Sequence, residues 1–315
     1  MTNPKRASAF MLFLLAIYFV VLGFVLPVIL GILNMFFYIS IHPLWFMIAL
    51  QILLFILPLY IWLLITKDNI NNHLPNMKLG GTNIILLFGL SILLQPLGML
   101  ISGIMSMFMQ NPVAEMFNMF AEQPLWLLLL AIAVTPAICE EVVFRGYIGS
   151  QLKNISIKKA AIINGLFFGI MHMNFHQFTY AFFMGIVFFL FVYYTKSIFA
   201  GIIVHFIMNG TQVLLAWAAV MLAEPNGYEP ADAGWTVVLS ILVIAVICLP
   251  GCFILFRTFI NHNEQRITKT EMKTIIADGF TPPEPINPYI WYKDMFLWII
   301  VGVFIVYSTI SIIIS

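Results

Sequence analysis

The stretch "PLWLLLLAIAVTPAICEEVVFRGYIGSQL", residues 124–152, decides the fold. At 1.5 Å per residue, a helix of this length clears the ~30 Å hydrocarbon core of a bilayer. Its first half is almost wholly apolar, while its second half carries Glu140, Glu141 and Arg145 within six positions. A carboxylate at the middle of a membrane helix costs about 2.5–3.5 kcal/mol on insertion scales, and arginine costs a similar amount. Such a helix is tolerated only where its polar side faces other protein or a water-filled cavity. The segment therefore predicts an all-α fold: a polytopic transmembrane helix bundle that encloses it.

The flanking sequence agrees. Of the 315 residues, 62% are hydrophobic and only 9% are charged, the balance of an integral membrane protein. Apolar runs of about 18 residues or more recur along the chain, which predicts helices rather than barrel strands. Eight to nine spans are expected, from candidates at 10–38, 43–66, 82–108, 124–152, 157–173, 177–195, 198–222, 235–259 and 290–314. The first is too long for the core of a signal peptide and has no small-residue cleavage site, so it reads as a retained span. The polar segment 260–289 contains "TPPEPINP" and reads as a linker. This divides the chain into N-terminal spans (1–110), a core (111–260), a cytoplasmic Pro-rich linker (261–289) and a C-terminal span (290–315).

Charge and cysteine usage narrow the function. A net charge of +1 with no basic patch gives no reason to expect nucleic acid. Cys139, Cys248 and Cys252 lie in apolar segments and predict neither disulfides nor a thiolate zinc site. With the N-terminus cytoplasmic and every candidate crossing, Lys67, Lys78, Lys153, Lys158, Lys159, Lys196, Arg257, Arg266, Lys269, Lys273 and Lys293 fall inside or at the inner boundary. Glu115, Glu122, Glu224, Glu229 and Asp232 fall opposite, without Lys or Arg.

Three polar constellations stand out. Glu141 and Arg145 are four apart, share a helix face and can pair. Glu140 points about 100° away from Glu141 and has no local partner, which makes it a functional candidate. Pro136, four residues earlier, loosens the helix beside it. The second constellation is "NGLFFGIMH", with Phe168 four before His172, and Gly165 and Gly169 offering a surface for close helix approach. The third is "HFIMN", with His205 and Asn209 again on one face. His176, in a turn, reads as a hydrogen-bonded packing residue. Counting rise per residue, Glu140 lies about 18 Å above the cytoplasmic end of its span, His172 about 22 Å, and His205 and Asn209 about 10 and 16 Å. Groups at those depths on three helices can converge. A carboxylate, two imidazoles and a carboxamide offer a base, an orienting group and oxyanion donors for hydrolysis.

The ordered set "EEVVFRG", "FGIMH" and "HFIMN" resembles the CAAX-protease and bacteriocin-processing membrane endopeptidases, the Abi or CPBP family, which includes the type II CAAX prenyl endopeptidases. Their pattern is EExxxR, FxxxH and HxxxN or HxxxD, and the resemblance covers about residues 124–222. It implies an intramembrane endopeptidase in which Glu140 is the base acting on water and His172 shares that water or a metal. It further implies oxyanion stabilisation by His205 and Asn209, support by Glu141 and a brace at Arg145 beside Phe168. The family is called metalloproteases, so Glu140, His172 and His205 are candidate zinc ligands. There is no HExxH, and a ligating glutamate is a poor base for the same water, which favours the metal-free version. The expected partner is a membrane-embedded or lipid-anchored peptide or protein substrate in the bilayer.

Other classes fit less well. No GxSG or GxGD pair indicates a serine or aspartyl intramembrane protease. A proton-coupled transporter would need polar groups spaced across the bilayer, whereas these form one cluster. A non-enzymatic scaffold or bacteriocin immunity factor remains the principal alternative. A bias toward Ile, Asn, Lys and Phe points to a bacterial cytoplasmic membrane, where maturation of peptides is a more natural task than prenyl-protein processing.

Overall fold

A computed structural model describes residues 3–37, 42–120, 122–222, 233–278 and 289–314. They form helices α1 (Pro4–Ile32), α2 (Pro43–Thr66), α3 (Gly81–Ser106), a short α4 (Pro112–Phe120), α5 (Leu125–Gln151), α6 (Ile157–Ile170), α7 (Phe175–Thr195), α8 (Ile198–Leu222), α9 (Ala233–Asp278) and α10 (Met295–Ile314). Among the described residues, 8 helices are long and apolar enough to cross a membrane. The chain is an all-α polytopic bundle.

Two expectations are corrected. The candidate span 157–173 is the 14-residue α6, about 21 Å long and too short to cross alone. Its chain turns at Met173, which adopts a left-handed φ of 51°, and Asn174 then caps α7 by accepting from the Gln177 N–H. The second correction concerns the linker. α9 runs on to Asp278, so the first part of 261–289 is helical. Its residues up to Asp278 are polar but include neither Gly nor Pro after Gly251, so nothing stops the helix where its hydrophobicity ends. The stretch "TPPEPINP" lies outside the described residues, as do Glu224, Glu229 and Asp232.

Lipid tails are as apolar as leucine, so membrane helices associate through close packing and internal hydrogen bonds. One core joins α1, α2, α5, α6, α7 and α10 through residues such as Phe10, Phe55, Phe144, Phe167, Phe189 and Phe304. A second joins α3, α7, α8 and α9 through Leu87, Phe191, Val204 and Phe259. α7 feeds both cores. α5 is the enclosed member: 67% of its apolar window is buried, against 11% for α1 and for α9. The polar helix of the opening segment is thus the one shielded from lipid.

Glycines bring α6 and α7 together as an antiparallel pair. A methyl group on Gly185 would lie 2.7 Å from the Gly165 Cα, and one on Gly165 would lie 2.7 Å from the Phe182 carbonyl oxygen. Gly169 meets the Phe178 ring in the same way, so the glycine surface read from the sequence is used.

Hydrogen bonds gather the helix ends at one side of the bundle. The Asn3 N–H donates to Gln151 Oε1 at 3.3 Å, and Ser8 Oγ donates to Asp294 Oδ2 at 2.7 Å. Asn76 bridges Ser197, and Arg266 Nη2 donates to the Lys78 and Thr195 carbonyls. His73 lies 2.9 Å from Asp68 and 2.6 Å from Ser150 Oγ. Lys5, Arg6, Lys67, Lys78, Lys153, Lys158, Lys196 and Arg266 all belong to this end, and Glu115 and Glu122 lie beyond the opposite end of α3.

Candidate active site

The site begins with two distortions in α5. Its central α-helical turns, Thr135–Glu141, are flanked by π-helical stretches at Leu129–Val134 and Val142–Ile148. Each wide stretch leaves carbonyls poorly served within the helix, and such features recur at functional sites. Pro136 has no N–H to give the Ile132 carbonyl. Asn209 Nδ2, from α8, donates to that oxygen at 3.0 Å. On the other side, Asn164 Nδ2 from α6 donates to the Phe144 carbonyl at 2.6 Å. Two neighbouring helices therefore fix the segment that carries the glutamates.

Glu141 is fully buried and organises the charged layer. Its Oε1 accepts from Arg145 Nη1 at 2.6 Å and from His205 Nδ1 at 2.9 Å. Gly201 leaves room for this carboxylate, because a methyl group there would run into Glu141 Oε2. Arg145, also buried, places Nη2 3.2 Å from the Gly185 carbonyl and stacks 4.2 Å over the Phe168 ring. Phe168 is thus a platform for the guanidinium and also meets the His172 and His205 rings at centroid distances of 5.3 and 5.8 Å.

Hydrogen-bond chemistry fixes the imidazoles. The Phe168 carbonyl can only accept, so His172 Nδ1, 2.9 Å away, carries a proton and Nε2 is left as a lone-pair acceptor. Glu141, as the counter-charge of Arg145, likewise takes the proton of His205 Nδ1 in its hydrogen bond. His205 Nε2 then stands 3.9 Å from Glu140 Oε2. Carboxylate-oriented histidines of this type hold one tautomer and one ring position.

Glu140 faces a cavity of ≈ 260 Å³ that His172 also lines. Its walls include Phe144, Phe168 and Met171 and, from α1 and α2, Tyr18, Leu54 and Phe55. The cavity is therefore a mainly apolar cleft with a few polar groups, the usual form of a small-molecule or peptide site. Gln51 on α2 donates from Nε2 to Glu140 Oε1 at 3.3 Å.

Each sequence-derived candidate can now be placed. Glu140, Glu141, His172 and His205 are brought together, with Arg145 and Phe168 behind them. Asn209 docks on the Ile132 carbonyl and braces α5. His176 is a buried packing residue, its Nε2 2.9 Å from Ser106 Oγ. Sequence reasoning missed Gln51 and Asn164. Gln51 had one available signal, an amide inside an otherwise apolar span; Asn164 lay inside a quoted motif with no spacing to mark it.

The donor atoms suit a metal ion in type, being two imidazole Nε2 atoms and a carboxylate. Their arrangement does not: among the described residues no group of three or more His, Cys, Asp or Glu side chains is placed to hold one.

Residues 122–211 match the model of the family described as Type II CAAX prenyl endopeptidase Rce1-like. That segment contains all three motifs. No curated protein and no solved structure matches the chain.

Proposed function

We propose that this chain, whose residues 122–211 match the type II CAAX prenyl endopeptidase family model, is an intramembrane endopeptidase that hydrolyses a peptide bond with a water activated by Glu140. The carrying observation is that Glu140 and His172 line one cavity while His205 Nε2 stands 3.9 Å from Glu140 Oε2. A cavity-facing acid, a lone-pair imidazole and an oriented second imidazole are the groups needed to make and use a nucleophile.

In this reading water is held between Glu140 and His172 Nε2. Glu140 takes one proton as the water oxygen attacks the scissile carbonyl carbon and a C–O bond forms. The carbonyl π electrons move onto oxygen, and the oxyanion is stabilised by His205 when its Nε2 also carries a proton, while Asn209 holds the Ile132 carbonyl of α5. Collapse reforms C=O and breaks the C–N bond, and the departing nitrogen takes the proton from Glu140. Glu141 and Arg145 keep His205 in place throughout.

The mechanism uses no metal ion. A carboxylate that ligates a cation is a poor base for water on that cation, which favours Glu140 acting on free water. Chelation by phenanthroline is expected to leave turnover unchanged; loss restored by zinc would overturn this part. The end rich in Lys and Arg is assigned to the cytoplasm, with the N-terminus on that side. Membrane-impermeant labelling of a cysteine placed at Lys153 tests the assignment, and labelling from the outer side would reverse it.

The substrate is a membrane-associated protein or peptide, since the cavity lies within apolar helices. Quantitative mass spectrometry of membrane peptides from cells with wild-type protein or Glu140→Gln tests the whole reading. A peptide set lost in the variant at equal protein level is expected. Identical peptide profiles would instead favour a scaffold or immunity protein.

A further inference from the structure

Gln51 lies outside the three motifs and outside residues 122–211, yet it lines the cavity and touches Glu140. Its two amide atoms differ in state. Nε2 donates to Glu140 Oε1 at 3.3 Å. Oε1 is closed to solvent and has no hydrogen-bond partner among the described residues, so a ligand in the cavity meets it only by a small turn of the amide. A buried amide oxygen without a donor is destabilising, and a leucine or methionine would fill the same volume without that defect. A polar atom held in this state beside a candidate base reads as an acceptor waiting for the site to be filled.

The chemistry of the missing partner is restricted. The oxygen can only accept, and the groups that a peptide presents along its backbone as donors are its N–H groups. The surrounding wall of Tyr18, Leu54 and Phe55 is mainly apolar and suits the side chains of a hydrophobic segment rather than a charged one. α2 also changes to a π-helical turn at Ile52–Ile56, immediately after Gln51, a distortion of the kind found at ligand sites.

We propose that Gln51 is a positioning residue for peptide hydrolysis, holding Glu140 through Nε2 and receiving a backbone N–H of an extended apolar substrate through Oε1. One amide then sets the distance between base and substrate. It also gives the N-terminal helices a direct part in the reaction. The inference rests on the peptidase reading and deepens it.

The test uses full-length protein in lipid nanodiscs and a set of internally quenched peptides with apolar flanks. The probe is the peptide that wild type cleaves and Glu140→Gln does not. Gln51→Leu and the equally long Gln51→Met are both compared with wild type, and their elution profiles and unfolding midpoints show which of them is folded. Loss of the amide is expected to lower kcat/KM about ten- to a hundred-fold. Ester analogues of the probe, each with one backbone N–H replaced by oxygen, supply the discriminating measurement. At one position near the scissile bond, wild type should lose about tenfold while the Gln51 variant loses nothing further. Additive losses at every position, or kcat/KM within about twofold of wild type, would overturn the role of Gln51 and leave the peptidase intact. If wild type and Glu140→Gln treat all peptides alike, the peptidase reading falls and this inference with it.

Discussion

Glu140 and Glu141 are neighbours in sequence with opposite environments. Glu141 is held by a guanidinium and an imidazole in a fully buried layer, while Glu140 meets a cavity and an amide. A charge buried without its partner is costly, so breaking such a pair commonly destabilises by about 3–5 kcal/mol. Glu141→Gln should therefore lower the unfolding midpoint far more than Glu140→Gln, which leaves Arg145 paired. Adding Arg145→Met to Glu141→Gln should recover part of the stability but none of the activity, because His205 loses its anchor. Equal midpoints for the two single variants in a detergent melt would contradict this division of labour. The pairing of Glu141 with Arg145 could be read from their spacing. Gln51 could not, since its partner lies on another helix and no local pattern links them.

The helices carry the site through local defects that their neighbours repair. Pro136 frees the Ile132 carbonyl and Asn209 takes it; the Phe144 carbonyl is taken by Asn164. Proline kinks are legible in sequence, but which amide answers them is set by how α6 and α8 pack. The same applies to α6 and α7. The Gly165–Gly185 contact leaves no room for a Cβ, and its obstacles are backbone atoms that cannot rotate away. Gly185→Ala is expected to separate the pair and withdraw the Gly185 carbonyl from Arg145, at a cost of about 1–3 kcal/mol. Activity should fall with it. An unfolding midpoint within 1 °C of wild type, with full activity, would refute the close-approach argument. The length of α6 was not legible, because its apolar residues continue into a turn that only Met173 and Asn174 define.

Across the whole molecule, the spans that precede the motifs belong to the same core as the motif helices. Phe10 of α1 packs on Trp62 of α2 and Tyr147 of α5, and Trp62 Nε1 donates to the Tyr147 hydroxyl at 2.6 Å. At the basic end, the α2–α3 connection is tied to α5 through Asp68, His73 and Ser150. Burial pushes the Asp68 carboxyl up, but the Asn69 N–H and the His73 imidazole outweigh it and hold the group below its ordinary value. A lowered folded-state pKa contributes stability that is present above the ordinary carboxylate range, about pH 4. It is lost as pH falls through the folded value. Asp68→Asn should remove this share of the acid sensitivity, seen as a flatter midpoint-versus-pH curve between about pH 5 and 3. Because Asp68 is only partly buried, solvent screens the interaction, so the effect should be small and should shrink further in high salt.

The amino-acid sequence by itself determined the solvent, the helical class and the three groups of polar residues. Hydrophobic run length, residue spacing and the cost of burying charge are properties of a chain read one segment at a time. It also placed the polar groups at comparable depths, since rise along a helix depends only on counting. Rotation, and partnership between different helices, were decided by tertiary structure alone. Which face of α5 meets the cavity, which amide answers each freed carbonyl, and which helix supplies Gln51 to Glu140 depend on contacts between residues far apart in sequence. A one-dimensional pattern contains no distance between two helices, and a hydrogen bond is made or lost within about an ångström.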